Sequence, residues 1–191
     1  MLREIMYETY VLITEHQTFI AETRHWLETI VIGLNLCPFA RGELVSERVQ
    51  FTVSDAHTRE QLLMDLYTSL LALADNPAIE TTLLIHPHVL QNFDDYNQFL
   101  DIADALLCDM DMEGVYQIAS FHPDYQFADT ALEDARNYSN KSPYPMLHLL
   151  SEESLEKAID NNADTALIPE RNKALLNKMG IKKLKEILGK T

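Results

Sequence analysis

The stretch TTLLIHPHVLQNFDDYNQFLDIADALLCDMDMEGVYQIASF, residues 81–121, decides the fold. Residues 81–86 and 115–121 are short apolar runs of the kind found in buried strands. Residues 93–111 repeat apolar side chains with a period near 3.6 and stop before Gly114, which is typical of a helix. A strand, a helix and a second strand in this order predict a crossover between parallel strands.

The flanking segments continue the alternation. Before residue 81 the patterns predict a long helix over 7–34, a strand over 48–53, and a helix over 57–75 that is capped by Ser54-Asp55. After residue 121 they predict a long loop over 122–145, a candidate fourth strand over 146–150, and helices over 154–159, 173–178 and 181–188. We therefore expect an α/β fold: a single domain whose mostly parallel sheet of three or four strands carries helices on its faces.

Charge is unevenly distributed along the 191 residues, which carry a formal net charge of −15. The first 170 residues contain 8 basic and 29 acidic side chains, whereas the segment from Arg171 onward contains seven Lys or Arg and one Glu. This asymmetry predicts an acidic α/β domain over residues 1–170 and a basic helical tail over 171–191, packed on that domain or extending from it.

The composition excludes several classes of partner. An acidic body repels phosphate groups, so we expect no nucleic-acid partner. No apolar run reaches the roughly 18 residues of a membrane span, and the N-terminus lacks a secretory pattern. Two cysteines without a C-x-x-C spacing predict free thiols and a cytoplasmic location. The sequence does not indicate a cofactor, and it is compatible with a monomer or a homo-oligomer.

Histidines fall at or near the ends of the predicted strands. His86 and His122 each close a buried run, and His148 lies within the fourth strand. Because ligands bind outside the carboxyl ends of strands in open α/β sheets, these side chains are candidates for one site. We assign His122 as the general acid or base, since its ordinary pKa suits that work. His86, His122 and His148 together form a weaker alternative, a metal site; a turn facing water is the plain alternative for His86.

Cys37 follows the long N-terminal helix and is the candidate nucleophile or redox thiol. The negative end of a helix dipole opposes thiol ionisation, so reactivity would need help from Arg41 or His122. A free cysteine is also often a small buried hydrophobe, which is the alternative here.

Three arginines lie in loop-like segments beside prolines: Arg41, Arg136 and Arg171. Arginine suits bidentate binding of carboxylate or phosphate, so their convergence would make an anion pocket. Pairing with the many acidic side chains of this chain is the alternative. Tyr125 and Tyr144 would form an aromatic wall, or pack in the core. The substrate-binding candidates are Arg41, Arg136, Arg171, Tyr125, Tyr144 and His148.

Five segments resemble a bacterial family of proteins of unknown function, numbered 1415. They are IGLNLCPFAR (32–41), TTLLIHP (81–87), ASFHPDYQFA (119–128), SPYPMLHLL (142–150) and IPERN (168–172). The resemblance implies no activity, but it marks as motif positions Cys37, Arg41, His122, Tyr125, His148 and Arg171. Lys141 departs from the family pattern, which usually has arginine there.

Three functions fit these patterns. The first is an enzyme that acts on a small anionic metabolite through a His, Cys and Arg pocket at the carboxyl ends of the strands. The second is a non-catalytic binding or protein-interaction module that uses the same residues to shape its long loop. The third is a metal-dependent hydrolase.

Overall fold

The computed structural model describes residues 2–160 and 165–189. Residues 1 and 161–164 of the predicted acidic domain, and residues 190–191 of the predicted tail, lie outside the described residues. The strands are β1 (Val49–Val53), β2 (Thr81–Ile85), β3 (Tyr116–Phe121) and β4 (Met146–Ser151). The described α-helices are α1 (Leu2–Trp26), α2 (Ala40–Val45), α3 (Arg59–Asp75), α4 (Phe93–Asp109), α5 (Glu152–Asp160), α6 (Ile168–Met179) and α7 (Ile181–Ile187). A π-helical turn, Leu27–Ile32, continues α1, and 3₁₀ turns cover Ala135–Ser139 and Thr165–Leu167.

The four strands form one sheet in the order β1-β2-β4-β3. The α/β prediction is confirmed, but a mostly parallel sheet is wrong: β1 and β2 are parallel, and β4 is antiparallel to both of its neighbours. The reason lies in the connections. A parallel crossover needs a long connection, usually a helix, which α3 supplies between β1 and β2, whereas residues 122–145 between β3 and β4 contain only a 3₁₀ turn. β1, β2 and β3 still run in one direction, so their carboxyl ends share an edge.

The sheet separates two apolar cores. Alternate strand residues point to opposite faces, as the pleat requires. The first core contains Phe51, Leu83, Ile85 and Met146 from the strands, the π-helical turn, and the fully buried Leu176 of α6 and Leu184 of α7. The second contains Leu84, Leu147 and Leu149 from the strands, packed on α3 and α4.

The start of α3 lies four residues after the predicted cap. The Thr58 side chain accepts a hydrogen bond from the Gln61 N–H, and the Gln61 side chain accepts one from the Thr58 N–H, which completes a capping box. Ser54 instead donates to Asp65 at 2.5 Å. Ser54-Asp55 is therefore wrong as the helix cap, because a stronger capping sequence follows it.

Candidate functional site

Cys37 lies in a tight turn directly after the π-helical turn. The N–H groups of Leu36 and Cys37 both donate to the Val31 carbonyl, at 2.8 and 3.5 Å, and Asn35 has a left-handed φ of 54°. The chain therefore reverses sharply and leaves the half-buried Cys37 side chain facing the sheet.

The start of α6 holds this turn in place. Arg171 donates from Nη2 to the Asn35 carbonyl at 2.6 Å, and Asn172 donates from Nδ2 to the Leu36 carbonyl at 2.8 Å. Asn172 Oδ1 is buried and has no hydrogen-bond partner among the described residues. Two side chains of the IPERN segment thus position the residues that precede Cys37.

A cavity of about 450 Å³, here called the loop cavity, lies on one side of Cys37 and has a wall of both apolar and polar side chains. Three parts of the chain build it: the turn around Cys37, the loop after β3, and the start of α6. Its wall consists of Val31, Leu36, Cys37, Phe121, Phe127, Asp129, Thr130, Arg136, Ser139, Asn140, Ile168, Pro169, Asn172, Lys173 and Leu176.

The charged side chains of the loop cavity are already paired. Arg136 bonds Asp134 through Nε and Nη2 and contacts Asp129 Oδ2 at 3.1 Å. Hydrogen bonds from Arg136 lower the pKa of Asp134. Lys173 lies 2.9 Å from Glu170, in an exposed pair. Arg136 therefore follows the alternative that the sequence offered, pairing with acids of this chain.

Asn137 organises the loop that carries this wall. Its buried side-chain oxygen accepts from the Phe127 N–H at 3.1 Å and from the Thr130 hydroxyl at 2.7 Å. Its Nδ2 donates to the carbonyls of Ala131 and Leu132. One amide thus closes the loop upon itself and fixes the position of its aromatic and polar wall residues.

An apolar cavity of about 280 Å³, here called the sheet cavity, lies on the other side of Cys37, against the face of the sheet. Val31, Cys37 and Phe121 belong to the walls of both cavities. The complete wall of the sheet cavity is Trp26, Leu27, Val31, Cys37, Phe39, Ala40, Glu43, Val49, Glu80, Thr81, Leu83, Ala119, Phe121, His148, Leu150, Ser151, Ser154, Leu155 and Ala158.

His148 supplies the sheet cavity with an imidazole whose tautomer is fixed. The buried Thr81 hydroxyl lies 2.6 Å from both the Leu149 carbonyl and His148 Nε2. A carbonyl can only accept, so the hydroxyl proton goes to it and Nε2 must carry its own proton. Burial lowers the pKa of His148 to about 4. At neutral pH the ring is therefore uncharged, with its lone pair on Nδ1.

His122 is fully buried, and both of its ring nitrogens form hydrogen bonds. Its Nε2–H donates to the Leu90 carbonyl at 3.1 Å, and its Nδ1 accepts from the Asp124 N–H at 3.0 Å. The ring lies against Phe93 and Tyr96, with centroids 5.3 and 5.1 Å away. His122 lies in neither cavity wall, so the structure does not bring it together with Cys37 at either cavity.

His86 also lies against the Tyr96 ring, 5.8 Å between centroids. Its Nδ1–H donates to the Val89 carbonyl, its Nε2 is buried without a hydrogen-bond partner among the described residues, and burial lowers its pKa to about 4. His148 pairs with Thr81 instead. In the described ranges no group of three or more His, Cys, Asp or Glu side chains is arranged to hold a metal ion.

The remaining predicted site residues are dispersed. Arg41 is exposed on α2 and lines neither cavity. Tyr125 packs against Phe127, 4.9 Å between ring centroids. Tyr144 donates to Glu22 of α1, and burial raises the pKa of its hydroxyl. Among the predicted residues, Cys37 shares the loop cavity with Arg136 and the sheet cavity with His148.

Sequence reasoning missed four residues that shape these cavities: Thr81, Asn137, Asn172 and Lys173. Thr81 opens a run otherwise interpreted as plain strand, and Asn137 lies in a segment interpreted as irregular loop. Asn172 closes the IPERN segment, where a polar side chain beside Arg171 was a usable signal. Lys173 was assigned to the tail, and nothing in its neighbours indicates a cavity.

Comparison with known proteins gives one match. No curated protein and no solved structure matches this chain. No helix in the described part of the chain combines the length and the apolar character needed to cross a membrane. The model of the family described as "Protein of unknown function (DUF1415)" matches residues 18–186, which is most of the chain and includes every segment that builds the two cavities. The chain therefore belongs to the DUF1415 family.

Proposed function

We propose that this protein is an enzyme that acts on a small anionic molecule in the loop cavity, with Cys37 as the reacting thiol. The observation that carries the proposal is that Cys37 shares the wall of this cavity with the cationic side chains of Lys173 and Arg136. A substrate bound there would lie against a thiol and near the ammonium group of Lys173, whose single partner Glu170 is exposed.

The paired charges narrow the substrate class. Arg136 is held by two carboxylates, Asp134 and Asp129, so its charge is compensated within the protein and it offers no free donors to a substrate. Lys173 is half exposed and pairs with Glu170, and such surface pairs contribute only about 0–1 kcal/mol. A substrate carboxylate can therefore replace Glu170 at the ammonium group. With two carboxylates already beside the cavity, a monoanion fits better than a polyanion.

The rest of the wall favours an apolar substrate body. Val31, Leu36, Phe121, Phe127 and Leu176 contribute much of it. A small monocarboxylate with an apolar body is the class that satisfies both parts of the cavity. In the reaction class proposed here, the thiolate sulfur bonds to an electrophilic carbon, and the leaving group departs with the electron pair of its broken bond.

His122 has a positioning role in this proposal. Its ring nitrogens and its backbone hold the start of the loop, since its N–H donates to the Asn140 carbonyl and its carbonyl accepts from the Tyr125 N–H. The role of Lys173 in this proposal is to bind the carboxylate of the substrate in the cavity that Cys37 lines.

Two alkylating reagents of similar size test the proposal. In a Cys108→Ser background Cys37 is the single thiol, and iodoacetate and iodoacetamide differ mainly in charge. We expect the ratio of their rates, iodoacetate over iodoacetamide, to exceed the ratio for free N-acetylcysteine. Lys173→Gln should lower this ratio by roughly 2- to 5-fold, the value of one exposed charge contact.

Lys178→Gln is the matched control, since Lys178 lies on the same helix outside the cavity wall and carries the same charge. It should leave the ratio unchanged. A ratio equal to that of the free thiol and insensitive to Lys173→Gln contradicts the anion site.

A further inference from the structure

The sheet cavity has the features of a second small-molecule site. It lies between the sheet and the end of α1, and its wall is mostly aliphatic and aromatic. Its volume of about 280 Å³ is close to the lower bound of about 300 Å³ for ligand pockets. A molecule with a small apolar body therefore fits, whereas a cofactor-sized ligand does not.

One polar group inside this cavity has a defined chemical role. Thr81 fixes the proton of the His148 ring on Nε2, and that leaves the Nδ1 lone pair without a hydrogen-bond partner among the described residues. Because burial keeps the ring neutral near pH 7, Nδ1 accepts hydrogen bonds and does not donate them.

The charges at the cavity wall select against anions. Glu43 and Glu80 both belong to the wall, and Arg48 holds them at 2.7 and 3.3 Å. Two carboxylates against one guanidinium leave this side of the cavity net negative. An anionic ligand would be repelled there, and a cation would have to displace Arg48.

We propose that the sheet cavity binds a small neutral molecule with an apolar body and one hydroxyl or N–H group, which donates a hydrogen bond to His148 Nδ1. The proposal does not rest on the reaction at Cys37, because its ligand class and its polar anchor both differ from those of the loop cavity, although Cys37 lines both cavities.

The single tryptophan of the chain reports on this site. Trp26 is 3% exposed, lines the sheet cavity and is absent from the wall of the loop cavity. It also lines a third cavity beside Pro143 and Leu188, so the cavity-filling variants below show which of these two cavities a shift reports. Its indole N–H donates to the Lys141 carbonyl at 2.9 Å, so it gives one distinct signal in a ¹H–¹⁵N spectrum.

Cyclohexanol and cyclohexanone are the probes, because they share a ring and a size but only the alcohol donates a hydrogen bond. Titrated into the full-length protein, cyclohexanol should shift the Trp26 indole signal saturably. Cyclohexanone should bind roughly 2- to 12-fold more weakly, which corresponds to the loss of one hydrogen bond. Equal or tighter binding of the ketone overturns the assignment of His148 Nδ1 as the anchor.

Filling the cavity provides the second arm. Ala119→Leu places a larger side chain next to His148 in the sheet and should abolish the shift, whereas Ala72→Leu on the exposed face of α3 should preserve it. Ala158→Leu on α5 fills the same cavity from its edge, in case the strand variant does not fold. An absent or non-saturating shift in the natural protein, or a shift that survives both cavity-filling variants, overturns the site. The readout is the Trp26 signal and not the alkylation of Cys37, so failure of this proposal is distinguishable from failure of the proposed function.

Discussion

Tyr96 joins two strands through one buried hydroxyl. It donates to the Met146 carbonyl at the start of β4, 2.7 Å away, and accepts from the Phe121 N–H at the end of β3, 3.1 Å away. Its ring contacts both His86 and His122. A residue that the sequence places only on the apolar stripe of a helix therefore fixes the edge of the sheet at which the loop begins.

Removing this hydroxyl tests its contribution. Tyr96→Phe leaves the Phe121 N–H and the Met146 carbonyl without their partner, and we expect the free energy of unfolding to fall by about 2 kcal/mol. Tyr67→Phe on the exposed side of α3 is the control and should change it by less than about 0.5 kcal/mol. Urea denaturation of both variants measures the difference; equal stabilities would show that the two bonds contribute nothing net.

At the scale of elements, the helices and strands follow from local patterns, but their arrangement does not. Periodicity places α3, α4 and the strands within a few residues, because each buries one face. The position of β4 between β2 and β3 depends on a connection without a helix, which carries no periodic signal. Part of the pairing of Arg136 could be predicted from the sequence, because Asp134 lies two residues before it in the chain.

The loop after β3 depends on Asn137, and its removal should loosen that element alone. In Asn137→Ala the Phe127 N–H loses its internal acceptor, so we expect faster hydrogen exchange at Phe127 with little change in α3. Asn97→Ala on the exposed face of α4 is the control. Exchange at Phe127 that matches the natural protein would mean that packing alone holds the loop.

The sequence also does not show that Cys37 and His122 lie in different cores. The carboxyl ends of β1, β2 and β3 share an edge, as the sequence predicts, but a strand end has two sides. His122 turns toward α4 and the second core, whereas Cys37 packs with the first. The tertiary contacts of a residue decide on which side of the sheet it lies, and these contacts cannot be predicted from a single sequence.

For the whole molecule, two buried imidazoles couple stability to pH. Burial lowers the pKa values of His86 and His148 to about 4, below the ordinary value of 6.5. Between these pH values the unfolded chain binds more protons than the folded one, so stability is complete above pH 6.5 and falls as the pH decreases toward 4.

We expect the free energy of unfolding to fall by on the order of 2 kcal/mol for each of these histidines between pH 7 and pH 5. His148→Gln should remove the contribution of that histidine, and Asn97→Ala on the exposed face of α4, which removes no titratable group, should not change the dependence. Denaturant midpoints at the two pH values measure it. A slope unchanged by His148→Gln would indicate that His148 is protonated in the folded protein.

The place of β4 has a consequence for synthesis on the ribosome. The strand made last occupies the interior of the sheet, between two strands made before it. Until residues 146–151 leave the exit tunnel, β2 and β3 have no common partner, and each presents an unpaired edge. The sheet of the nascent chain is therefore incomplete until residues 146–151 have emerged.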